Sequence, residues 1–175
     1  VAVLPYSKYT FAMALPDASI PQVIKALNAC LYYFGGIPLS LKTDNMKQVV
    51  TKSCRYEPLF SEALQQWALH YNMTLLATRV AKPKDKGAVE NEVKIAYQRI
   101  YAPLRDEVFY SISQLNEAVH KRLAMHNEKL FQLKDYSRLQ QCNLEEKSLL
   151  QSWPPDELII NNRKREKVQK NKQNK

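Results

Sequence analysis

The order of strand-like and helix-like patterns along residues 1–101 is the strongest constraint on what this chain can fold into. Residues 1–15 contain two short apolar runs around the turn Pro5-Tyr6-Ser7-Lys8, which predicts a pair of strands. Helical and strand patterns then alternate to residue 101. The resulting order, β-β-α-β-α-β-α, predicts an α/β protein in which helices flank a mixed sheet.

Apolar periodicity gives approximate limits for these elements. We predict helices over residues 21–34, 57–71 and 88–101 and strands over residues 37–43 and 73–78. On the second helix Leu69 is expected to face the core. On the third, the predicted packing side consists of Val89, Val93, Ala96 and Ile100. After Pro103 the pattern changes to two amphipathic helices, over residues 112–127 and 136–151, with no strand between them.

Charge is unevenly distributed along the chain. The formal net charge is +9, from 26 Lys and Arg against 17 Asp and Glu, which points first to nucleic acid and second to an anionic membrane surface. Residues 163–175 contain seven basic residues and one acidic residue, so this tail holds +6 of the excess and residues 1–162 hold +3. Overall charge is therefore weak evidence that the folded part binds a polyanion.

Several classes of protein are excluded by composition. No apolar run approaches the roughly 18–20 residues of a membrane-spanning helix, and no signal-peptide pattern opens the chain. The 3 cysteines are scattered and form no C-x-x-C pair, which argues for a reducing, cytosolic setting and against a zinc site. The 3 histidines are expected to be surface or hydrogen-bonded residues.

Two acidic residues are candidates for chemistry. Asp44 follows a predicted strand directly, and Glu90 lies in the first turn of the helix that follows the basic loop 79–86. Two carboxylates near a sheet rim suit Mg²⁺ or Mn²⁺, and a basic loop beside them suits phosphate. Glu90 shares a helix face with Lys94, Tyr97 and Tyr101. The alternatives are an ordinary Asp-Asn turn, a helix-dipole glutamate and a solvated loop.

Two motifs in this order resemble a known family. Thr43-Asp44-Asn45 ends a predicted strand, and Pro83 to Glu90 has the form Pro-x-x-x-Gly-x-x-Glu at a helix start. In both respects the chain resembles the DDE transposases, whose core is like that of retroviral integrases. The later segments Phe109–Asn116, His126-Asn127, Tyr136–Arg138 and Glu145–Leu150 resemble the linker of IstA-type insertion-sequence transposases.

The resemblance implies a fold and a domain organisation. The fold is an RNase H-like mixed sheet flanked by helices, followed by a helical linker. We expect an integrase-like core in residues 1–105, a helical linker in 106–155 and the basic start of a C-terminal barrel domain in 156–175. The family's first strand, with its first catalytic Asp, would precede Val1. We therefore expect a truncated core, and catalytic competence stays open.

The resemblance also implies roles for individual residues. Asp44 and Glu90 would be catalytic ligands of a two-metal Mg²⁺ or Mn²⁺ site for DNA cleavage and strand transfer. Asn45 would orient Asp44 or contact DNA. Contacts to DNA phosphate or bases would come from Lys82, Lys84, Lys86 and Lys94.

Expected partners follow from the same resemblance. They are double-stranded DNA (transposon ends and target), an AAA+ ATPase helper and further copies of the chain assembled on DNA. No membrane partner is expected, and the expected location is the bacterial cytoplasm, at the nucleoid.

Two other functions remain open on sequence grounds. The chain could be a non-catalytic DNA-binding remnant with an RNase H-like fold. It could also be a nuclease of this fold that acts on RNA or hybrid duplexes, which is disfavoured because residues 109–150 resemble the transposase linker and nothing suggests recognition of a 2′-hydroxyl.

Overall fold

The computed structural model describes residues 1–43, 50–52, 59–77 and 87–155, with the backbone alone for residues 50–52, 59 and 87–90. Its strands are β1 (Ala2–Val3), β2 (Thr10–Phe11), β3 (Ser40–Thr43), β4 (Val50–Lys52), β5 (Leu59–Phe60) and β6 (Thr74–Ala77). Its α-helices are α1 (Ile20–Phe34), α2 (Glu62–His70), α3 (Gly87–Ala96), α4 (Ile112–Glu128) and α5 (Arg138–Gln141). No helix in these ranges is long and apolar enough to cross a membrane.

Both parallel and antiparallel strand pairs are present, as the predicted mixed α/β architecture requires. β1 and β2 form an antiparallel hairpin in the register Ala2↔Phe11. β3 and β6 run parallel, from Ser40↔Thr74 to Thr43↔Ala77. β4 and β5 form a second, irregular antiparallel pair, which the sequence did not predict. Across the described residues these are three separate two-stranded sheets.

Helix α1 packs against two hydrophobic cores at once. Cys30 and Phe34 belong to the core that contains the β1–β2 hairpin, α4 and the end of α3. Ile24 and Leu31 belong to the core around α2, which includes Trp67. The helix ends as its sequence predicts, because Gly35 adopts a left-handed φ of 77° and its N–H donates to the carbonyls of the last turn.

Helix α2 is shorter than predicted, and one residue expected on its inner side is exposed. It spans Glu62–His70 instead of residues 57–71, since Leu59–Phe60 is a strand. Trp67 is 1% exposed and its Nε1 donates to Asn28 Oδ1 at 2.7 Å. Leu69, predicted to face the core, is 81% exposed because Leu64, Trp67 and Ala68 already fill the buried side.

On helix α3, Ala96 and Ile100 are buried as predicted, but the prediction for Val93 is wrong. Val93 is 39% exposed, whereas Glu92 is only 8% exposed. The helix continues into a π-helical turn (Tyr97–Tyr101) and a 3₁₀ turn (Ala102–Leu104). The buried positions are Glu92, Ala96, Ile100 and Leu104, and after Ala96 the wider turn keeps their four-residue spacing on one side of the rod.

Two asparagines of α4 take the place of a neighbouring strand along the outer edge of β2. The Thr10 N–H donates to Asn127 Oδ1 at 3.0 Å, and Asn127 Nδ2 donates to the Thr10 carbonyl at 2.7 Å. Asn116 makes the same pair of bonds with the backbone of Ala14, at 2.8 and 3.1 Å. Because strand residues at even spacing direct their backbone groups to one edge, α4 satisfies that edge.

A second polar contact ties the turn between β1 and β2 to the C-terminal helices. Glu146 is buried, and its carboxylate accepts the backbone N–H groups of Tyr6 and Ser7 at 2.9 and 3.0 Å and the Ser7 hydroxyl. Farther along, Ile37 and Gln151 exchange backbone hydrogen bonds at 3.1 and 2.8 Å.

Residues 106–155 therefore share the core of the hairpin. The predicted division at residues 105 and 155 stays a prediction, and residues 156–175 lie outside the described ranges.

We expect Asn127→Ala to lower the free energy of unfolding by about 2–3 kcal/mol, because it leaves a buried N–H and a buried carbonyl of Thr10 without partners. Urea denaturation measures this loss. Asn143→Ala, at an exposed position, is the control and should be nearly neutral. Equal stability of the two variants would contradict the role assigned to Asn127.

His126 adds a titratable group to the same buried network. The Thr10 hydroxyl donates to the Lys8 carbonyl at 2.9 Å, so its oxygen accepts from His126 Nε2 at 3.3 Å. We therefore assign the proton of the neutral ring to Nε2. Nδ1 is buried and has no hydrogen-bond partner among the described residues. Burial, with the positive charges of Arg138 and Arg99, lowers the pKa of His126 to about 4.

This lowered pKa predicts acid sensitivity with a defined sign. Between about pH 6.5 and 4 the unfolded chain binds a proton at His126 that the folded chain does not bind, so stability falls as the pH falls through this window. We expect His126→Gln to remove up to about 1 kcal/mol per pH unit of that slope, measured by urea denaturation at several pH values. His120→Gln, at an exposed position of the same helix, should leave the slope unchanged. Identical slopes in all three proteins would contradict the assignment.

Candidate active site

The candidate site begins where two parallel strands end side by side. Thr43, the last residue of β3, is the register partner of Ala77, the last residue of β6. The carboxyl ends of parallel strands at one sheet edge are where α/β proteins place ligands. Asp44 follows Thr43 directly in the chain, and the basic segment 79–86 follows β6.

Most of the predicted site residues lie outside the described part of the chain. Glu90 is the fourth residue of α3, so the backbone confirms its predicted position in the first turn, but its side chain is not described. Lys94 is described and exposed. The convergence of the two carboxylates stays a prediction. Outside the described residues are Asp44, Asn45, Lys82, Lys84 and Lys86.

The described part of the predicted functional face of α3 is open to solvent. Lys94 is exposed, and Tyr97, one turn later, is 61% exposed. Tyr97 and Tyr101 have ring centroids 6.2 Å apart, and burial raises the pKa of Tyr101. An ammonium group and an aromatic ring thus follow position 90 on an accessible surface, where they can meet a phosphate or a base.

The opposite side of α3 carries a buried ion pair that sequence reasoning missed. Arg138 Nη2 lies 3.4 Å from Glu92 Oε2, with both side chains almost fully buried. The guanidinium stacks over the Phe131 ring at 4.5 Å. Burial lowers the pKa of Arg138, while Glu92 opposes that shift. The sequence feature that could have revealed this pair is the position of Glu92. It lies four residues before Ala96, just as Ala96 lies four residues before Ile100, so all three share one side of the helix.

The donor chemistry of the candidate site fits a hard divalent cation. The predicted ligands are two carboxylates, the oxygen donors that Mg²⁺ and Mn²⁺ prefer. Next to Asp44, the Thr43 hydroxyl is buried and has no hydrogen-bond partner within the described ranges. Those ranges contain no group of three or more His, Cys, Asp or Glu that could hold a metal elsewhere.

Comparisons with known sequences agree with this architecture. Residues 1–83 match the family described as "Integrase core domain". Among curated proteins, the chain is 37% identical over 131 residues to the "Putative transposase for insertion sequence IS408" of Burkholderia multivorans, covering 75% of this chain and 25% of that protein. It is 27% identical to the transposase for insertion sequence element IS21 of Pseudomonas aeruginosa, covering 71% of this chain and 31% of that protein. The chain spans about a quarter of the length of its most similar curated relatives.

Comparisons with solved structures give the same fold. The catalytic core domain of BIV integrase aligns with a TM-score of 0.64 at 16% identity, covering 84% of this chain and 86% of that one. The HTLV-2 integrase catalytic core domain in complex with magnesium aligns with a TM-score of 0.58 at 18% identity, covering 79% of each chain. The predicted RNase H-like, integrase-type fold is confirmed by these neighbours.

The resemblance first noted at Asp44 and Glu90 is thus matched by independent comparisons of sequence and of fold. Residues 1–83 match the integrase core domain family, and about three quarters of the chain is similar in sequence to transposases of bacterial insertion sequences.

Proposed function

We propose that this chain forms the core of a DNA transposase that uses divalent metal ions to cut and join DNA strands. The observation that carries the proposal is the parallel register of Thr43 and Ala77. It brings together the strand end that precedes Asp44 and the strand end that precedes the basic segment, in a chain related to insertion-sequence transposases.

In this proposal Asp44 and Glu90 hold the metal. Held by these two carboxylates, Mg²⁺ or Mn²⁺ would supply Lewis-acid chemistry for activating the attacking oxygen and stabilising the leaving one. Asp44 follows the end of a strand, whereas Glu90 lies at the start of a helix. The distance between the two carboxylates therefore depends on how α3 packs against the rest of the fold. Asn45 follows Asp44 and orients it or contacts DNA. Support for the metal comes from the carboxylate chemistry and from the magnesium complex of the HTLV-2 neighbour.

DNA is the substrate in this proposal. Lys82, Lys84 and Lys86 immediately precede α3 and contact backbone phosphates, which position the DNA without reading its sequence. Lys94 is exposed one turn after position 90 and contacts the backbone or a terminal base. Phosphate contacts of this kind make affinity strongly dependent on salt.

The proposed partners follow from the same function. They are transposon-end and target DNA, further copies of this chain assembled on that DNA, and an AAA+ ATPase helper. A further structural neighbour, a chain of the simian T-cell lymphotropic virus intasome that aligns with a TM-score of 0.63 at 16% identity, supports this part of the proposal. The proposed location is the bacterial cytoplasm, where the nucleoid DNA is.

The metal role predicts that Asp44→Asn and Glu90→Gln each weaken Mn²⁺ binding to the 175-residue chain by at least about tenfold, because each removes one anionic ligand. Electron paramagnetic resonance of free Mn²⁺ measures the affinity. Glu107→Gln, at an exposed position, is the matched control and should bind as the unsubstituted chain does. Unchanged Mn²⁺ affinity in both site variants would refute the metal role and favour a non-catalytic DNA-binding function.

The DNA role predicts a change in salt dependence. Replacing Lys82, Lys84 and Lys86 together by Gln should make the slope of log K against log [salt] shallower by about three units, one for each lost phosphate contact. Fluorescence anisotropy with a DNA duplex measures that slope.

The control for the lysine variant removes the same charge from exposed positions on α1, on α4 and directly after α4, as Lys25→Gln, Lys121→Gln and Lys129→Gln together. Its slope should stay close to that of the unsubstituted chain. If the two triple variants behave alike, and deletion of residues 163–175 abolishes binding, the tail binds the DNA and the proposed loop contacts are wrong.

A further inference from the structure

The buried pair of Glu92 and Arg138 lies on the same helix as the candidate ligand Glu90, on the far side of that helix. With about 3.6 residues per turn, Glu92 is rotated roughly 160° around α3 from position 90 and from Lys94. Lys94 is exposed and Glu92 is buried, as that rotation requires. A contact that keeps Glu92 on the buried side of α3 therefore also keeps position 90 on the opposite side of the helix.

Between residues 91 and 95 the described side chains offer little other resistance to rotation, and the large buried apolar anchor, Ile100, lies two turns farther along the rod. Among its described side chains, Asn91, Val93 and Lys94 are exposed, and Ile95 is only partly buried. The next buried residue is Ala96, whose single methyl group gives weak rotational preference. A charged hydrogen bond at 3.4 Å to one buried partner is directional, unlike apolar contact.

The position of Arg138 is fixed by its own local contacts. It is the first residue of α5, directly after Ser137, whose side chain and backbone form a capping box with Gln140 at 3.2 and 2.8 Å. Its guanidinium packs on Phe131, which is hydrogen-bonded through its backbone to Tyr136 at 3.1 Å. Arg138 Nε and Nη1 have no hydrogen-bond partners among the described residues, so Glu92 is its described acidic partner.

We propose that Arg138 is a positioning residue for the candidate metal site. Its ion pair with Glu92 fixes the rotation of α3 near its start and thereby the side of the helix on which position 90, the proposed ligand, lies. Arg138 touches neither the metal nor the DNA in this arrangement. The inference rests on the proposed metal role of Glu90 and makes the helices after residue 105 part of the machinery that shapes the site.

The test separates positioning from stability. Arg138→Met leaves a buried carboxylate without a partner and is expected to lower the melting temperature. The double variant Glu92→Met with Arg138→Met replaces both charges by apolar groups, which proteins often tolerate without loss of stability. Arg105→Met, at an exposed arginine with a solvent-exposed pair, is the matched control.

Two readouts are taken on the 175-residue chain. Amide hydrogen exchange reports the local stability of residues 91–96, and Mn²⁺ titration by electron paramagnetic resonance reports the metal affinity. We expect the double variant to melt near the temperature of the unsubstituted chain. Its exchange at residues 91–96 should be about tenfold faster, with α1 unchanged. Its Kd for Mn²⁺ should be about fivefold higher, while Arg105→Met changes none of these quantities.

Normal exchange at residues 91–96 in the double variant, or normal Mn²⁺ affinity, would overturn the positioning role. Failure of the underlying function is recognised separately. If Glu90→Gln binds Mn²⁺ like the unsubstituted chain, the metal role itself is wrong, whereas the exchange measurement still reports whether the pair holds α3.

Discussion

The packing of α1 on both sides is the constraint on which the rest of the structure depends. The β1–β2 hairpin and the β3–β6 pair are not hydrogen-bonded to each other in the described residues, so no continuous sheet relates them there. Cys30 and Phe34 join α1 to the hairpin core, and Ile24 and Leu31 join it to the core around α2. Among the described residues, the strand ends at the candidate site take their place relative to α3 and α4 mainly through this helix, supported by the backbone bonds between Ile37 and Gln151.

Buried polar side chains define the register between elements that apolar packing alone would allow to slide along one another. Asn127 bonds both the N–H and the carbonyl of Thr10 in β2, and Asn116 bonds both groups of Ala14 just after that strand, which defines the register of α4 against this segment. Glu146 does the same for the turn after β1. Such bonds are costly to leave unmade and have defined directions, so they select one arrangement among many of similar apolar burial.

Local patterns predicted the order of the elements, the end of α1 at Gly35 and the exposure of Lys94. They failed on α3, where uniform helical stepping placed Val93 inside and ignored Glu92. One non-local contact accounts for the burial of Glu92: Arg138, which lies 46 residues away, supplies a buried partner for its carboxylate. The π turn acts only after Ala96, where it alters the helical stepping. The short β4–β5 pair was missed because two- and three-residue strands carry no readable alternation.

Two glutamates two residues apart on α3 illustrate how one helix can serve structure and chemistry together. Glu92 is neutralised by a buried arginine, so its charge acts within the fold and contributes little to the field outside. A carboxylate that binds a metal needs the opposite, an unpaired charge facing other oxygen donors. Because neighbouring turns of a helix rotate as one rigid rod, satisfying the first requirement at position 92 sets the orientation available at position 90. Helices that follow the catalytic core in the chain can therefore influence the geometry of that core through direct contacts with α3.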